Sequence, residues 1–469
     1  MTSSPDRHPG TGTAEEAEAP AWEAEAAGSR AARAAPAALA LLLLVYAALA
    51  ALWSEPGSDV VLATSCGSPR WLLGPLEPLG AGFADGSLSG PMFYAGLWAA
   101  LILYCGVLLG ARRLGAGAVV AAIAGAHILF ALAPPLLSQD AFSYIAYARL
   151  DVVHDLNPYT HSPSDIPADP VYPFAGSKDF SSVYGPLFTV ATFPLAKTSV
   201  PFAFWALKAS AALASLGVVA LVWQCARSLG RDPRLPALAV GLNPLVLVHV
   251  VGGAHNDALT VLLWMGGVAT LLAARPAREA LGGALTAASG AVKASAGLVA
   301  PFMFIGVRRR WALVAGAAAA AVGVAIVAVL AFGDGALESL GVLSDNQDRT
   351  SHWSLPQRAA DGLAALTGGS AQSIVDYTRV AFAGLFVLAL AVLLRAAWRR
   401  RADVAGWVAP AGWATLALLV ASAWLVPWYA IWLMPLAALG ADRRLLVASI
   451  AFCAYMMVIA MPLEPFSPY

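Results

Sequence analysis

Charge is scarce in this sequence. Only 12% of its 469 residues are Asp, Glu, Lys or Arg, whereas 59% are hydrophobic and the mean hydropathy is +0.70. A soluble domain carries about 25% charged residues, so the chain is a polytopic membrane protein. The 28 basic residues balance the 28 acidic ones, which argues against nucleic acid as a partner. Cysteine is nearly absent. Of four, Cys105, Cys225 and Cys453 lie in apolar runs and only Cys66 falls in a loop, so there is no disulfide framework. Neither a CxxC pair nor an HExxH helix occurs, which leaves no dedicated zinc site. Walker A and GxGxxG patterns are missing too, so no nucleotide is expected. Residues 1–30, rich in Ala, Glu, Pro, Ser and Thr, lack the features of a signal peptide and are expected to be a disordered cytoplasmic leader.

Long apolar runs dominate the rest. Segments near 36–53, 92–110, 116–136, 202–226, 235–251, 256–274, 279–294, 295–307, 311–332, 375–397, 405–421, 424–439 and 443–462 can each cross roughly 30 Å of hydrocarbon, as whole, short or broken helices. That makes about 13 crossings in an all-α membrane domain over 31–469. The 186–196 piece is too short and reads as re-entrant. Arg112-Arg113, Arg227, Arg231, Arg234, Arg275, Arg278, Arg308–Arg310, Arg399–Arg401 and Arg443-Arg444 then share one side, the cytoplasm. The loops at 137–186 and 333–374 open on the other.

Ser138–Pro186 concentrates acid, histidine, tyrosine and proline. Its start has helical periodicity, with Phe142, Ile145, Val152 and Val153 opposite Asp140, Tyr144, Tyr147, Asp151 and His154. That suits a helix on a membrane surface, one face in lipid and the other in a polar cavity. The prolines after Asn157 forbid regular structure, and a long ordered loop is usually functional.

Ser138-Gln139-Asp140, the Tyr184-Gly185-Pro186-Leu187 turn, Asn243-Pro244, His255-Asn256-Asp257, Lys293 and Trp428-Tyr429 occur in an order that resembles a known family. It is the actinobacterial polyprenol-phosphate-mannose-dependent α-(1→6)-mannosyltransferases, the MptA/MptB type, among the GT-C glycosyltransferases. The resemblance covers roughly residues 90–440 and implies a GT-C-like membrane fold. It also implies a polyprenyl-phosphate-mannose donor, a glycan or glycolipid acceptor, and an acidic catalytic base early in the first large outer loop. By position that base is Asp140.

The residues themselves admit two readings at each place. A carboxylate at a cavity rim can serve as a base, yet Asp140 could equally complement the dipole of the helix it begins, with Ser138 as N-cap. Asp151, on the same face, is the alternative base. His255, Asn256 and Asp257 either orient a sugar or cap the next span. Lys293, in an apolar run flanked by Gly290 and Gly297, either holds a lipid phosphate, its missing anion, or snorkels to the interface. Lys208 is a second phosphate candidate. Tyr144, Tyr147, Tyr159, Tyr172, Tyr184, Trp353 and Trp428 suit stacking on sugar faces, although interfacial aromatics are expected anyway. Asp345–Arg349 with His352 could close over an acceptor or be a solvated loop. A monophosphate leaving group held by a lysine requires no metal or other cofactor.

The expectation is therefore a plasma-membrane hexosyltransferase, N-terminus cytoplasmic, acting on the extracytoplasmic face. A lipid-linked sugar transporter would show paired broken helices in two related halves, and no internal repeat is present. A non-catalytic lipid-glycan binder would tolerate loss of Asp140. The orientation is directly testable: a cysteine placed in the 160–180 loop is expected to react with an impermeant thiol reagent in intact cells. Labelling only after lysis would reverse the topology.

Overall fold

The computed structural model describes residues 21–54, 69–80, 89–176, 178–272, 278–337 and 350–459, all helical or irregular. Its helices are α1 (Ala21–Trp53), α2 (Ser89–Leu109), α3 (Ala116–Leu132), α4 (Asp140–His154), α5 (Pro186–Ala196) and α6 (Val200–Ser228). They continue as α7 (Arg234–Gly241), α8 (Asp257–Leu272), α9 (Glu279–Gly290), α10 (Ala300–Gly306) and α11 (Arg310–Phe332). The last are α12 (Leu355–Thr367), α13 (Ala371–Arg399), α14 (Val408–Ala421), α15 (Ala430–Leu439) and α16 (Arg443–Ile459). Each apolar segment singled out in the sequence holds a helix or a broken helix. Five are long and apolar enough to cross a membrane whole: Ala34–Trp53, Pro91–Leu109, Val200–Ser228, Arg310–Phe332 and Ala371–Arg399. Leu330, Tyr377 and Val380 on α11 and α13 are largely exposed, which in a chain of this hydropathy suits lipid rather than water.

Two breaks shape the interior. Asn243-Pro244 interrupts the span after α7, because proline has no N–H and its ring blocks the preceding turn. The Asn243 side-chain oxygen accepts from the Leu245 and Val246 amides at 3.0 and 3.3 Å, restarting the chain as a π-helical turn, Val246–Gly252, bent 60° from α7. π turns of this kind recur at functional sites. The second break leaves Lys293 extended between α9 and the 3₁₀ turn Ala294–Val299.

Three expectations need correction or bounding. The first half of the apolar stripe of α4 is covered by protein, whereas Val153 at its far end is 42% exposed. Phe142 and Ile145 are each 1% exposed, and the Phe142 ring stacks on Phe204 at 5.0 Å and on Phe174 at 5.2 Å. Phe204 of α6 and Phe174 of the loop that follows together provide the cover expected of the membrane over this half of α4. Asp169 secures that loop. Its carboxylate accepts from Arg149 Nε at 2.8 and 2.9 Å, contacts His154 Nε2 at 2.8 Å and accepts the Val171 amide at 2.9 Å. These donors outweigh the effect of burial and hold its pKa below the usual carboxylate value. Arg149 also donates to the Ala196 carbonyl at 2.6 Å, and Tyr147 donates to Phe180 O at 3.0 Å. Secondly, α1 begins at Ala21, inside the expected leader, because an Ala- and Glu-rich run extends a helix readily. Lastly, Cys66 and Asp345–Arg349 lie outside the described residues.

Candidate active site

Two irregular segments deliver the polar residues. One leaves α3 and runs from Ala133 to Asp140; the other leaves the π turn and runs from Gly252 to Asp257. Each turns through a non-glycine residue in the left-handed region, Leu137 at φ +54° and Ala254 at φ +57°. A side chain there costs roughly 1–2 kcal/mol. The Leu136 amide donates to Gly252 O at 3.2 Å, joining the segments. Lys208, fully buried on α6, clamps them. Its ammonium donates to Ala133 O, to Pro134 O at 3.0 Å and to Gly252 O at 3.1 Å. All three donors of the ammonium are thereby used. Lys208 is a clamp on backbone and not the second phosphate ligand expected from the sequence.

Asp140 opens α4, its amide donating to Ser138 Oγ at 3.1 Å. One carboxylate oxygen, Oδ2, accepts from the Tyr184 hydroxyl at 3.3 Å and lies 3.3 Å from His255 Nδ1. The other, Oδ1, forms no hydrogen bond among the described residues. The carboxylate is 28% exposed, whereas the His255 ring is fully buried and lies flat on Trp428 at 3.8 Å. Burial opposes ionisation of Asp140. The neighbouring His255, the Lys293 charge and the Tyr184 hydroxyl outweigh it and hold its pKa below the ordinary carboxylate value.

Tyr184 reaches Asp140 because of the glycine after it. The Gly185 amide donates to Val292 O at 3.0 Å, and a Cβ at that position would collide with the Ala291 carbonyl. The Tyr184-Gly185-Pro186 turn is thus docked on the break that carries Lys293. Tyr159 donates to Tyr184 O at 3.0 Å, supporting the same turn. Tyr144 packs edge-on to Tyr184 at 4.7 Å, and its oxygen accepts the Asn256 amide at 3.4 Å. Asn256 keeps its side-chain nitrogen buried and unpartnered, as do both nitrogens of His249 in the π turn.

Lys293 has its anion inside the protein. The ammonium donates to both oxygens of the fully buried Asp257 at 2.9 and 3.0 Å, and Trp432 Nε1 donates to Asp257 Oδ1 at 2.7 Å. Tyr429 and Trp432 present their rings to the ammonium at 4.7 and 5.3 Å. This corrects the argument that Lys293 needs a lipid phosphate for neutrality. Asp257 likewise is an ion-pair partner before it is a sugar ligand.

Other expected members lie elsewhere. Asp151 is on the same stripe as Asp140 but about 16 Å further along α4, too far to share a substrate hydroxyl. Its pKa is raised, first by burial and then by Asp155. Tyr147 holds the covering loop. Tyr172 lies under Lys178, and Trp353 accepts from Tyr455 through its carbonyl. Trp432, Arg149 and Asp169 were not singled out in the sequence. An apolar-run tryptophan carries no signal of its own, although an acid among prolines could have marked Asp169. Among the described residues no group of three His, Cys, Asp or Glu side chains could hold a metal ion.

The sequence is similar to known proteins over both halves of the chain. A family described as "Alpha-(1->6)-mannopyranosyltransferase, N-terminal domain" matches residues 86–309, and "MptB C-terminal domain" matches residues 358–465. Alpha-(1->6)-mannopyranosyltransferase A of Mycobacterium tuberculosis is 29% identical over 407 residues, 80% of this chain and 76% of that protein. A Mycolicibacterium smegmatis protein named "Probable alpha-(1->6)-mannopyranosyltransferase" is 26% identical over 66% of this chain and 62% of its own. Alpha-(1->6)-mannopyranosyltransferase A of Corynebacterium glutamicum is 27% identical over 36% of this chain and 35% of its own. No solved structure matches the chain significantly. Asp140, His255 and Lys293 fall in the first matched region, and Trp428 and Trp432 in the second.

The Asp257–Lys293 pair makes a stability prediction. Lys293→Met strands a buried carboxylate and is expected to cost about 3–5 kcal/mol. Adding Asp257→Asn removes the stranded charge while keeping an acceptor for Trp432, and most of the loss is expected to return. Unfolding of both variants in one detergent measures this. Equal stability of the single and double variants would show that the pair is not coupled.

Proposed function

This chain belongs to the MptA/MptB-type α-(1→6)-mannopyranosyltransferase family, and from that premise we propose that it is a membrane mannosyltransferase using a polyprenyl-phosphate-mannose donor. The acceptor is a lipid-linked or mannan hydroxyl on the extracytoplasmic face, the side opposite the arginine clusters. The observation that carries the reading is the split use of Asp140: Oδ2 accepts from Tyr184 and lies 3.3 Å from His255 Nδ1, and Oδ1 is left open on a partly exposed carboxylate.

In the proposed reaction an acceptor hydroxyl hydrogen-bonds to Oδ1. Its oxygen attacks the anomeric carbon of the donor mannose as the carbon–phosphate-oxygen bond breaks. The proton passes to Asp140, and the bonding pair leaves with the polyprenyl phosphate, so a single displacement inverts the anomeric centre. A base kept ionised by His255 is ready over a wide pH range, and general-base help of this kind contributes about 10²–10⁴-fold. Lys293 uses two donors on Asp257, leaving one N–H for the leaving phosphate. That contact acts as a directed hydrogen bond beside a neutral pair. Trp428, His255 and Asn256 line the place where a sugar ring would stack and find polar partners.

The direct test is transfer of labelled mannose from synthetic polyprenyl-phosphate mannose by the purified protein. Asp140→Asn should bind donor and unfold at the normal temperature yet lose turnover by about 10²–10⁴-fold. Asp151→Asn should stay near normal. Near-normal turnover in Asp140→Asn would remove the base and leave a binding protein.

The pH profile gives a separate check. Asp140 acts as carboxylate, so activity is lost as pH falls through its depressed folded pKa, below the ordinary carboxylate range. His255→Gln withdraws the largest support of the ionised form and should move the acid limb to higher pH. An unmoved limb would separate His255 from Asp140.

A further inference from the structure

A cavity lined by arginines lies far from Asp140. It holds about 370 Å³ and is lined by Ala116, Trp223, Arg227, Arg231, Asp232, Pro233 and Arg234. These residues come from the start of α3, the last turns of α6 and the turn into α7. Arg227 is 19 residues beyond Lys208 on the unbroken helix α6, about 28 Å along the axis. That distance is about the thickness of the hydrocarbon core, so the cavity opens at the interface opposite the candidate active site.

Its charges do not cancel. Arg234 is matched by Asp232, its Nε lying 2.9 Å from Oδ1 and its terminal nitrogen 2.6 Å from Oδ2. Arg234 also donates to Leu114 O at 2.8 Å, which anchors the wall to the turn before α3. Arg231 donates to Leu439 O at 2.6 Å, which fixes its guanidinium against the end of α15 while neutralising nothing. Arg227 has neither a hydrogen bond nor an ion pair among the described residues. Two guanidiniums, one held rigidly and one free, therefore face the cavity without a carboxylate. Trp223 beside them supplies a half-buried ring of the kind that sits at a headgroup boundary.

We propose that this cleft is a phosphate-binding site, with Arg227 and Arg231 as the forked donors and Trp223 packing against the organic part of the ligand. A guanidinium offers paired N–H groups that match phosphate oxygens, and a fixed guanidinium loses little freedom on binding. Arginines that only mark topology need no cavity between helices and no anchoring to the carbonyls of Leu114 and Leu439. The phosphate could come from an anionic lipid of the adjoining leaflet or from a soluble phosphate, and both present the same oxygens.

The experiment separates these sources. Phosphatidylglycerol retained by the purified full chain in neutral detergent is counted by native mass spectrometry, and inorganic phosphate is titrated calorimetrically against the chain in zwitterionic nanodiscs. Wild-type protein should bind at least one of the two, and Arg227→Gln should weaken that binding about tenfold or more. Arg308→Gln, an exposed arginine outside the cleft, should leave it within about twofold. Binding of phosphatidylglycerol alone assigns a lipid ligand, and binding of inorganic phosphate assigns a soluble one. No binding of either, an unaffected Arg227→Gln, or equal weakening by Arg308→Gln would overturn the site. Arg227 is exposed and unbonded, so its substitution leaves folding intact, which an unchanged unfolding temperature verifies.

Discussion

One buried ammonium without a carboxylate beside it holds the candidate site together. Lys208 satisfies its charge entirely from backbone, using the carbonyls of Ala133, Pro134 and Gly252. A cation in an apolar interior is tolerated only when its donors are fully used. Those carbonyls belong to the two segments that carry Asp140 and His255. Each segment passes through a left-handed residue, Leu137 or Ala254, which an isolated turn would relax. The clamp opposes that relaxation, so the 3.3 Å approach of His255 to Asp140 depends on a residue that touches neither.

Around the clamp, charge is handled in pairs. Asp140 faces His255, and Asp257 faces Lys293, with Trp432 taking a further lone pair of Asp257. The two pairs differ in exposure. Asp257 is sealed and fully engaged, whereas Asp140 is 28% exposed with one oxygen open. Burial and pairing thus separate a structural carboxylate from one available for proton transfer, although both stand at a helix start. In the proposed reaction the separation is the reason the base is assigned to Asp140 rather than Asp257, and the reason Lys293 would meet a phosphate as a neutralised donor.

Much of this was legible in the sequence, and the failures have a common cause. Apolar runs located the helices, Gly290 and Gly297 flagged the break at Lys293, and Ser138-Asp140 marked a helix start in a polar loop. The Tyr184-Gly185-Pro186 turn was visible as a motif. What sequence could not show was which atoms face one another. Periodicity separated the apolar stripe of α4 from its polar one, but protein and lipid are equally apolar covers for Phe142. Lys293 looked unpaired because its carboxylate is 36 residues away. Lys208 looked like a ligand-binding lysine because backbone carbonyls have no residue identity to read.

The covering loop shows how an irregular segment can be part of a precise site. Residues 155–185 contain little regular structure, so few backbone hydrogen bonds hold them and side chains must do so. Asp169 gathers Arg149, His154 and the Val171 amide, and Arg149 carries the link on to the Ala196 carbonyl at the end of α5. The loop is thereby fastened to both helices between which it runs. Tyr184 lies at its far end, fastened in turn to the Lys293 break through Gly185. With both ends secured, the Tyr184 hydroxyl is presented to Asp140 at the cost of loop entropy already lost in folding, and not anew with each substrate. The same loop covers Phe142 and so keeps α4, and Asp140 at its first turn, within the protein. Ordering the loop and orienting the Asp140 carboxylate are therefore one structural event.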